Sequence, residues 1–582
     1  MSPRAFLNVD ASVLGRRWTG PETEEERLAE AMAQQTRLPM ALCHTLVRRG
    51  VSPTDAPAFL APVLRDLLPD PLTLRDMAPA TDRFLHAVKT RQRIAVFADY
   101  DVDGGASAAL LIIWLRAMGR EATLYIPDRI DEGYGPNVPA MQALGAVHDL
   151  ILCVDCGTLS HDPIAAAGCD VVVLDHHLGT DTLPAAVAVV NPNRQDESGD
   201  LAHLCAASVV FLMLVEANRR LRAEGVQGPD LMAMLDLVAL ATVADVAPLI
   251  GVNRALVRQG LRVMARRERA GLVALADVAR MDQAPTPYAL GFVLGPRVNA
   301  GGRIGQADLG ARLLATDDPR AAASMAARLD QLNAERREIT ERVREEAMAQ
   351  AEARGLDAPL IWAAAEGWHP GVVGIVAARL KEAFNRPAIV IGLEGGIGKG
   401  SGRSVAGVDL GAAVQRVAAE GLLIKGGGHK MAAGLTVARD QLEEAMARLS
   451  DLLGRQGAGT EGPRALRIDS LLMPSACTPG FVEQIEAAGP FGQGAPAPRF
   501  AFADVAVVPR RIGDKHLKLA VSDGMGAQVE AMAFGAYDTP LGPALDGAGH
   551  RRFHLAGRLE LNHWGGRTKV QLRLEDAAPA SG

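Results

Sequence analysis

The chain has 582 residues, too many for one hydrophobic core, so three or four domains are expected. A hydrophobic content of 48% and a charged content of 22% are globular values, and a net charge of −7 confines any nucleic-acid site to a local basic track. Six scattered cysteines (Cys43, Cys153, Cys156, Cys169, Cys205 and Cys477) form no disulfide framework and fit a reducing cytosol. The first residues lack the apolar segment of a signal peptide. The longest apolar run, Leu237 to Ile250, is broken by Asp245 and is too short to span a bilayer. A cytoplasmic protein with no membrane contact is expected.

Residues 1–75 read as a helical N-terminal leader, punctuated by Pro53, Pro57, Pro62, Pro69 and Pro71 and packed on the domain after it. Residues 76–332 form that domain. In its first part, short β-branched runs alternate with helical stretches. Strands are predicted at Ile94–Ala98, Ala122–Ile126, Leu150–Val154, Val171–Leu174 and Ala186–Val190, with helices at Ala106–Met118 and Asp162–Ala167. This alternation predicts an α/β fold with a parallel, doubly wound sheet. From 205 onward the pattern is mostly helical, ending in a charged connecting helix over 333–355. A second α/β domain follows over 356–456, glycine-rich at Gly392–Gly402 and Gly426–His429. After a Gly/Glu/Pro linker, residues 464–576 alternate apolar and polar positions. Predicted strands at Phe500–Val508, His516–Val521, Ala527–Phe534, Arg552–Leu561 and Thr568–Leu574 suggest an OB-type β-barrel. The tail from Ala577 is expected to fray.

The chemistry concentrates at predicted strand ends. Asp99, Asp101 and Asp103 alternate after Ile94–Ala98, and Gly104 follows. Ligands bind at that end of strands in open α/β sheets, and packed carboxylates repel unless a cation or proton intervenes. Asp155 follows Leu150–Val154, Asp175-His176-His177 follows Val171–Leu174, and Asp245 interrupts an apolar segment. Taken singly, an Asp at a strand end is usually a helix cap or turn former, and a lone His is structural. Three strand ends on one sheet edge point instead to a carboxylate-rich site for one or two Mn2+ or Mg2+ ions. Two such ions, roughly 3.5–4 Å apart, clamp an in-line displacement at phosphorus. Other templates fail. There is no H-E-x-x-H, Gly398-Lys399-Gly400 lacks the rest of a Walker A loop, and no G-x-S-x-G stands out. Cys153-x-x-Cys156 has no second pair for zinc.

These motifs closely resemble the DHH phosphoesterase superfamily, and within it the single-strand-specific 5′→3′ exonucleases, from about residue 70 to 575. The resemblance rests on Asp99–Gly104, Val154–Gly157, Asp175-His176-His177 with Val190–Asn193, Ala241–Val246 and Gly295–Arg303. The second domain resembles the DHH-associated domain through Trp368–Gly374, Gly400–Ser404 and Gly426–His429. Ala98 stands where a glycine is common, and Gly105-Ala106 replaces a more usual Ala-Thr or Ala-Ala.

The resemblance implies two divalent ions held by Asp101, Asp103, Asp155, His176 and Asp245, with Asp155 as the bridge. Asp99 is either a further ligand or the orienter of one, and His177 faces the scissile phosphate. It implies a terminal-phosphate site drawn from Arg129, Ser401 and Arg403. Arg303 and the Gly426–His429 loop, with Gly427, Gly428 and His429, track the strand. The connecting helix would hold the two α/β domains apart around a cleft that admits one strand and excludes a duplex.

The implied substrate is single-stranded DNA with its 5′ end preferred, degraded to mononucleotides in repair and recombination. The implied partners are a single-strand-binding protein and a helicase, and the chain is expected to be a monomer. In the barrel, the basic residues Arg510, Arg511, Lys515, Lys518, Arg551, Arg552, Arg558, Arg567 and Lys569 interleave with Phe500, Phe502, Phe534, Tyr537, Phe553 and Trp564. Some of these aromatics could stack bases, and more are expected in the core. Two rivals share the motifs. A pyrophosphatase or small-substrate phosphodiesterase is typically shorter and lacks the barrel, and an inactive scaffold loses ligands that are all present here.

Overall fold

The computed structural model describes residues 4–128, 132–459, 465–564 and 567–580. The chain divides into two compact units, one of Pro69–Ala247 with Gln259–Glu461, the other of Met1–Leu68, Pro248–Arg258 and Gly462–Gly582. Among the described residues no helix is long and apolar enough to cross a membrane.

The first unit contains the parallel sheet. Its strands are β1 (Ile94–Ala98), β2 (Ala122–Tyr125), β3 (Leu150–Val154), β4 (Asp170–Leu174) and β5 (Ala188–Val190). They lie in the order β2-β1-β3-β4-β5, all parallel. Every residue of β1 and β3 is buried, as expected when helices cover both faces. In this order the crevice for a ligand opens where the strand order reverses, between β1 and β3. Ala98 and Val154 are register partners there, so Asp99 and Asp155 emerge side by side.

The helix after β1, α1 (Val102–Ala117), starts earlier than the Ala106 of the sequence reading. Asp101 is the reason. Its Oδ1 accepts the backbone N–H groups of Asp103 (2.9 Å) and Gly104 (3.1 Å), capping the helix at once. Gly104 has no room for a side chain, since a Cβ there would stand 2.4 Å from the Asp99 carbonyl. Around α1 pack α2 (Ala206–Ala223), α3 (Leu235–Ala244) and α4 (Gly295–Ile304).

The connecting helix is longer than predicted. α5 runs Pro319–Arg354, because Asp318 caps it at Arg320 N–H and buried Ala322, Ala326, Leu329 and Leu332 already form an apolar stripe. Its later stripe, Val343, Ala347 and Ala351, joins the core of the second α/β half. There the sheet comprises β6 (Ile361–Glu366), β7 (Ala388–Glu394), β8 (Ile397–Arg403), β9 (Lys425–His429) and β10 (Ala432–Ala438), in the order β9-β10-β8-β7-β6. Only β6 and β7 are parallel. Helix α6 (Pro370–Phe384) covers one face through Val372, Val373 and Val376, and α7 (Leu410–Ala419) packs on the other. Gly426–His429, expected as a loop, lies in the edge strand β9.

In the second unit, β11 (Phe500–Ile512), β12 (His516–Ser522), β13 (Gln528–Ala533), β14 (Arg552–Trp564) and β15 (Arg567–Pro579) close a barrel in the order β11-β12-β13-β15-β14-β11. The tail expected to fray is paired to Pro579. Phe500, Phe502 and Phe553 fill the core, while Phe534 is exposed. Several of the barrel's named cations face acids: Lys518 and Lys569 share Glu530, Arg552 meets Asp504, and Arg558 meets Glu575.

The leader up to Leu68 belongs to this unit, a correction to its expected packing on the first α/β domain, while Pro69 onward belongs to the first unit. Ala29, Met32, Leu42 and Leu46 share one core with Phe500, Phe502, Leu517 and Phe553. The leader is also not wholly helical. Strand Arg17–Thr19 pairs with Ala465–Arg467, and buried Trp18 donates to Asp576 (3.1 Å). The Pro248–Arg258 segment is tied in by buried Arg254, which lies 3.5 Å over the Phe59 ring and donates to the Ala488 and Gly489 carbonyls.

Candidate metal centre

Four elements converge at the crevice between β1 and β3. The β1 end supplies Asp99 and Asp101, the first turn of α1 supplies Asp103, β3 supplies Asp155, and β4 supplies His176 and His177. Asp245 comes from elsewhere: it is the C-cap residue of α3, not a residue of the sheet edge. A carboxylate at the negative end of a helix is unfavourable unless a cation offsets it.

The ligand atoms form three overlapping groups, each within 4.8 Å: Asp99, Asp101 and Asp155; Asp103, His176 and Asp245; Asp155, His176 and His177. Asp155 and His176 each belong to two groups. His176 Nε2 lies 3.3 Å from Asp155 Oδ1, 3.7 Å from Asp103 Oδ2 and 3.8 Å from Asp245 Oδ2. Asp155 Oδ1 and His176 Nε2 are both buried, and neither has a hydrogen-bond partner among the described residues. Two orphaned, converging ligand atoms among carboxylates fit a hard divalent cation.

The electrostatics agree. Burial, then the charges of Asp101, Asp103 and Asp99, holds the Asp155 carboxyl well above the usual range. Burial raises Asp103 as well, and burial with Asp103 and Asp101 pushes Asp245 up to about 9. Without cations the cluster therefore retains protons. Asp155 also sits at φ 58°, a left-handed conformation that non-glycine residues rarely adopt, and such strain gathers at functional sites.

Asp103 has a second task. Its carboxylate accepts the N–H groups of Ala206 (2.7 Å) and Ala207 (2.8 Å), capping α2, whose own N-cap Cys205 makes no side-chain cap.

His177 is held differently from His176. Its Nδ1 is 2.8 Å from Asp175 Oδ1, and Tyr134 Oη is 3.1 Å from its Nε2. Burial would raise the Asp175 carboxyl, but His177 and the Thr158 hydroxyl hold it well below the usual range. Burial would likewise lower His177, but Asp175 lifts it to about 9. Asn191 donates to Thr158 and to the His177 carbonyl, and Asn193 donates to the His176 carbonyl. Asp175, Tyr134 and the two asparagines were not among the expected site residues. The asparagines were signalled by the Val190–Asn193 motif and Asp175 by its place in the triplet, while Tyr134 carried no signal of its own.

Cys153 and Cys156 are buried, and burial pushes both thiols up, which removes the thiolate that redox chemistry needs.

The second half brings Ser401 and Arg403 together on one face of β8, with Arg403 Nη1 donating to Ser401 Oγ (3.0 Å). A Cβ at Gly374 of α6 would lie 3.0 Å from Ser401 Oγ, so that glycine lets the helix close over the pair. Arg303 ties the two halves of this unit, its Nη1 donating to the Gly371 carbonyl (3.1 Å) in the first turn of α6. Gly427, Gly428 and His429 lie on β9. Arg129 lies outside the described residues.

Three family models match in succession: the DHH family N-terminal domain over residues 93–242, the DHHA1 domain over 357–455 and the RecJ OB domain over 468–576. The single-stranded-DNA-specific exonuclease RecJ of Dickeya dadantii is 39% identical over 93% of this chain and 96% of its own length. The chain belongs to the RecJ family. Among solved structures, RecJ of Thermus thermophilus in complex with Mn2+ superposes with a TM-score of 0.80, at 29% identity, covering 96% of this chain and 79% of that one. The same RecJ in complex with Mg2+ superposes with a TM-score of 0.74, at 28% identity, covering 96% and 78%.

Proposed function

We propose that this protein is a 5′→3′ exonuclease that hydrolyses single-stranded DNA to mononucleotides, using two Mn2+ or Mg2+ ions. The observation that carries the reading is the convergence of Asp99, Asp101, Asp103, Asp155, His176 and Asp245, with Asp155 and His176 common to overlapping groups. The ions would supply Lewis-acid polarisation of the phosphodiester and acidification of the attacking water. The named residues would hold them, with Asp155 and His176 each belonging to two of the ligand groups.

His177 has its Nδ1 held by Asp175, and its Nε2 would donate to a phosphoryl oxygen in exchange for Tyr134 Oη, which lies 3.1 Å from it. Ser401 and Arg403, with Arg129, would take the terminal 5′-phosphate, because a guanidinium and a hydroxyl on one strand face form a fork for phosphate oxygens. Holding the end rather than the middle of a strand sets the polarity. Arg303, Gly427, Gly428 and His429 would follow the strand beyond it. DNA repair and recombination are the setting for such end resection, in the cytoplasm, as a monomer working with a helicase and a single-strand-binding protein.

The deciding assay uses one single strand labelled at its 5′ or its 3′ end, with and without Mn2+. Labelled mononucleotide should appear at once from the 5′ label, late from the 3′ label, and only with metal. Digestion of 5′-tailed DNA should stall near the duplex junction. Release first from the 3′ end, or equal digestion of blunt duplex, would reject the reading.

A further inference from the structure

Glycine weakens a strand, so each glycine in β8, β9 and β10 needs a reason. For most of them the fold supplies it. A Cβ at Gly398 would stand 2.8 Å from Ile391, at Gly400 2.8 Å from Ile391, at Gly402 2.7 Å from Leu410 and at Gly426 2.7 Å from Val414. A Cβ at Gly428 would stand 2.4 Å from the Ala432 carbonyl. Gly427 and Gly434 have no such reason. Nothing lies within 4 Å of a Cβ at Gly427, and a Cβ at Gly434 has only the Gly400 carbonyl, at 4.0 Å. Neither has a positive φ. Neither packing nor backbone conformation within the described chain requires glycine at these two positions.

The two are register partners, and Gly434 also pairs with Ser401. Gly427, Gly434 and Ser401 therefore form one row across β9, β10 and β8. Two residues away along the strands, on the same face, the register places Lys425, Thr436 and Lys399 in a second row. In the other direction it places His429, Ala432 and Arg403. Such rows are about 6.8 Å apart, and adjacent strands about 4.8 Å apart. Gly434, Lys399 and Lys425 are exposed, and neither lysine's side chain makes a hydrogen bond or ion pair with any described residue. β9 is also the edge of its sheet, so one side of its backbone has no strand neighbour among the described residues.

We infer that the Gly427–Gly434 row is the floor of a track on which a single strand lies against the sheet, with Lys399 and Lys425 as its cationic side. Two missing side chains let a sugar-phosphate backbone approach the sheet surface. The lysines act as point charges for its phosphates. This inference rests on the reading of Ser401 and Arg403 as the terminal-phosphate site, because the track runs off the same row and face.

The test measures binding of a 3′-fluorescent, 5′-phosphorylated single strand to the full-length protein in EDTA, over a range of salt. Three proteins are compared with the parent: the Lys399→Ala/Lys425→Ala double variant, Gly434→Val and Arg403→Ala. The double variant should bind more weakly, and its log K against log salt should become shallower by about 1.4, the loss of two phosphate contacts at about 0.7 each. Gly434→Val, whose Cβ meets no neighbouring atom closer than 4.0 Å, should keep the parent's thermal transition and bind about 10-fold more weakly. An unchanged slope in the double variant, with Arg403→Ala binding weakened, overturns the track and leaves the terminal-phosphate reading standing. Unchanged binding in Arg403→Ala as well overturns that reading and the track together.

Discussion

Asp175 Oδ1 lies 2.8 Å from His177 Nδ1, and this contact separates the two histidines of the triplet into different roles. His176 turns its Nε2 to the carboxylates of Asp155, Asp103 and Asp245, whereas His177 is clamped by a carboxylate that belongs to none of the ligand groups. Asp175→Asn should therefore lower kcat by about 10–100-fold, the usual cost of losing an orienting partner. Mn2+ affinity should change much less than in a ligand variant. Steady-state kinetics and a Mn2+ titration separate the two. An affinity loss equal to that of Asp155→Ala would make Asp175 a ligand.

Asp103→Ala should remove nucleotide release while single-strand binding survives. It should also cost stability, because the Ala206 and Ala207 N–H groups would lose their acceptor inside the protein. About 1–3 kcal/mol is expected for each buried group left unpaired. Asp103→Asn keeps an acceptor oxygen and should lose less in a urea melt. Equal melts for the two variants would refute the capping role, and full cleavage by either would refute the metal assignment.

In metal-free protein the native Asp245 holds its proton up to about 9, against an ordinary value of 3.8. Between those values the native state binds more protons than the unfolded chain, so stability falls as pH rises through that window. Asp103 and Asp155, also raised, act in the same direction. In EDTA, Tm should drop from pH 5 to pH 9 by more than in an Asp245→Asn variant. Mn2+ at about 100 times its Kd should restore about 2.7 kcal/mol, with a larger rise in Tm at pH 8 than at pH 5. A metal-independent Tm at pH 8 would remove the cation from the cluster.

Arg403→Ala should narrow the preference for a 5′-phosphate over a 5′-hydroxyl by about 10–100-fold, the range for hydrogen bonds to a charged group. The guanidinium is half-buried, and its contacts include Ser401 Oγ and the Gly402 carbonyl of its own strand, so the variant should remain folded in a urea melt. Unfolding on substitution would make Arg403 a structural residue instead.

The first sheet and the barrel were legible because a β-branched run bounded by turn residues carries its own signal over five or six positions, whereas the glycine-rich strand β9 carries no such run and was expected as a loop. Helix boundaries were less so. α1 begins at Val102 because Asp101 caps it, and a cap cannot be told from a metal ligand by residue type alone. Asp101 serves both purposes: Oδ1 receives the two N–H groups, and the carboxylate remains within the group of Asp99 and Asp155. Asp175 was hidden for a related reason. Its neighbours in sequence are the two histidines expected to act at the site, and only its bonds to Thr158 and His177 set it apart from the ligand groups.

By itself the sequence determined the strand-end placement of the acids and histidines, because a short β-branched run ending in carboxylates has few other folded solutions. It determined the order of domains and the family for the same local reason. Tertiary structure alone decided that Asp245 reaches the cluster from the end of a helix and that the leader shares its core with the barrel. It also decided that Gly434 shares a row with Ser401 and that Lys399 and Lys425 flank it in the next row. Each of these depends on contacts between residues far apart in the chain, which local periodicity does not encode.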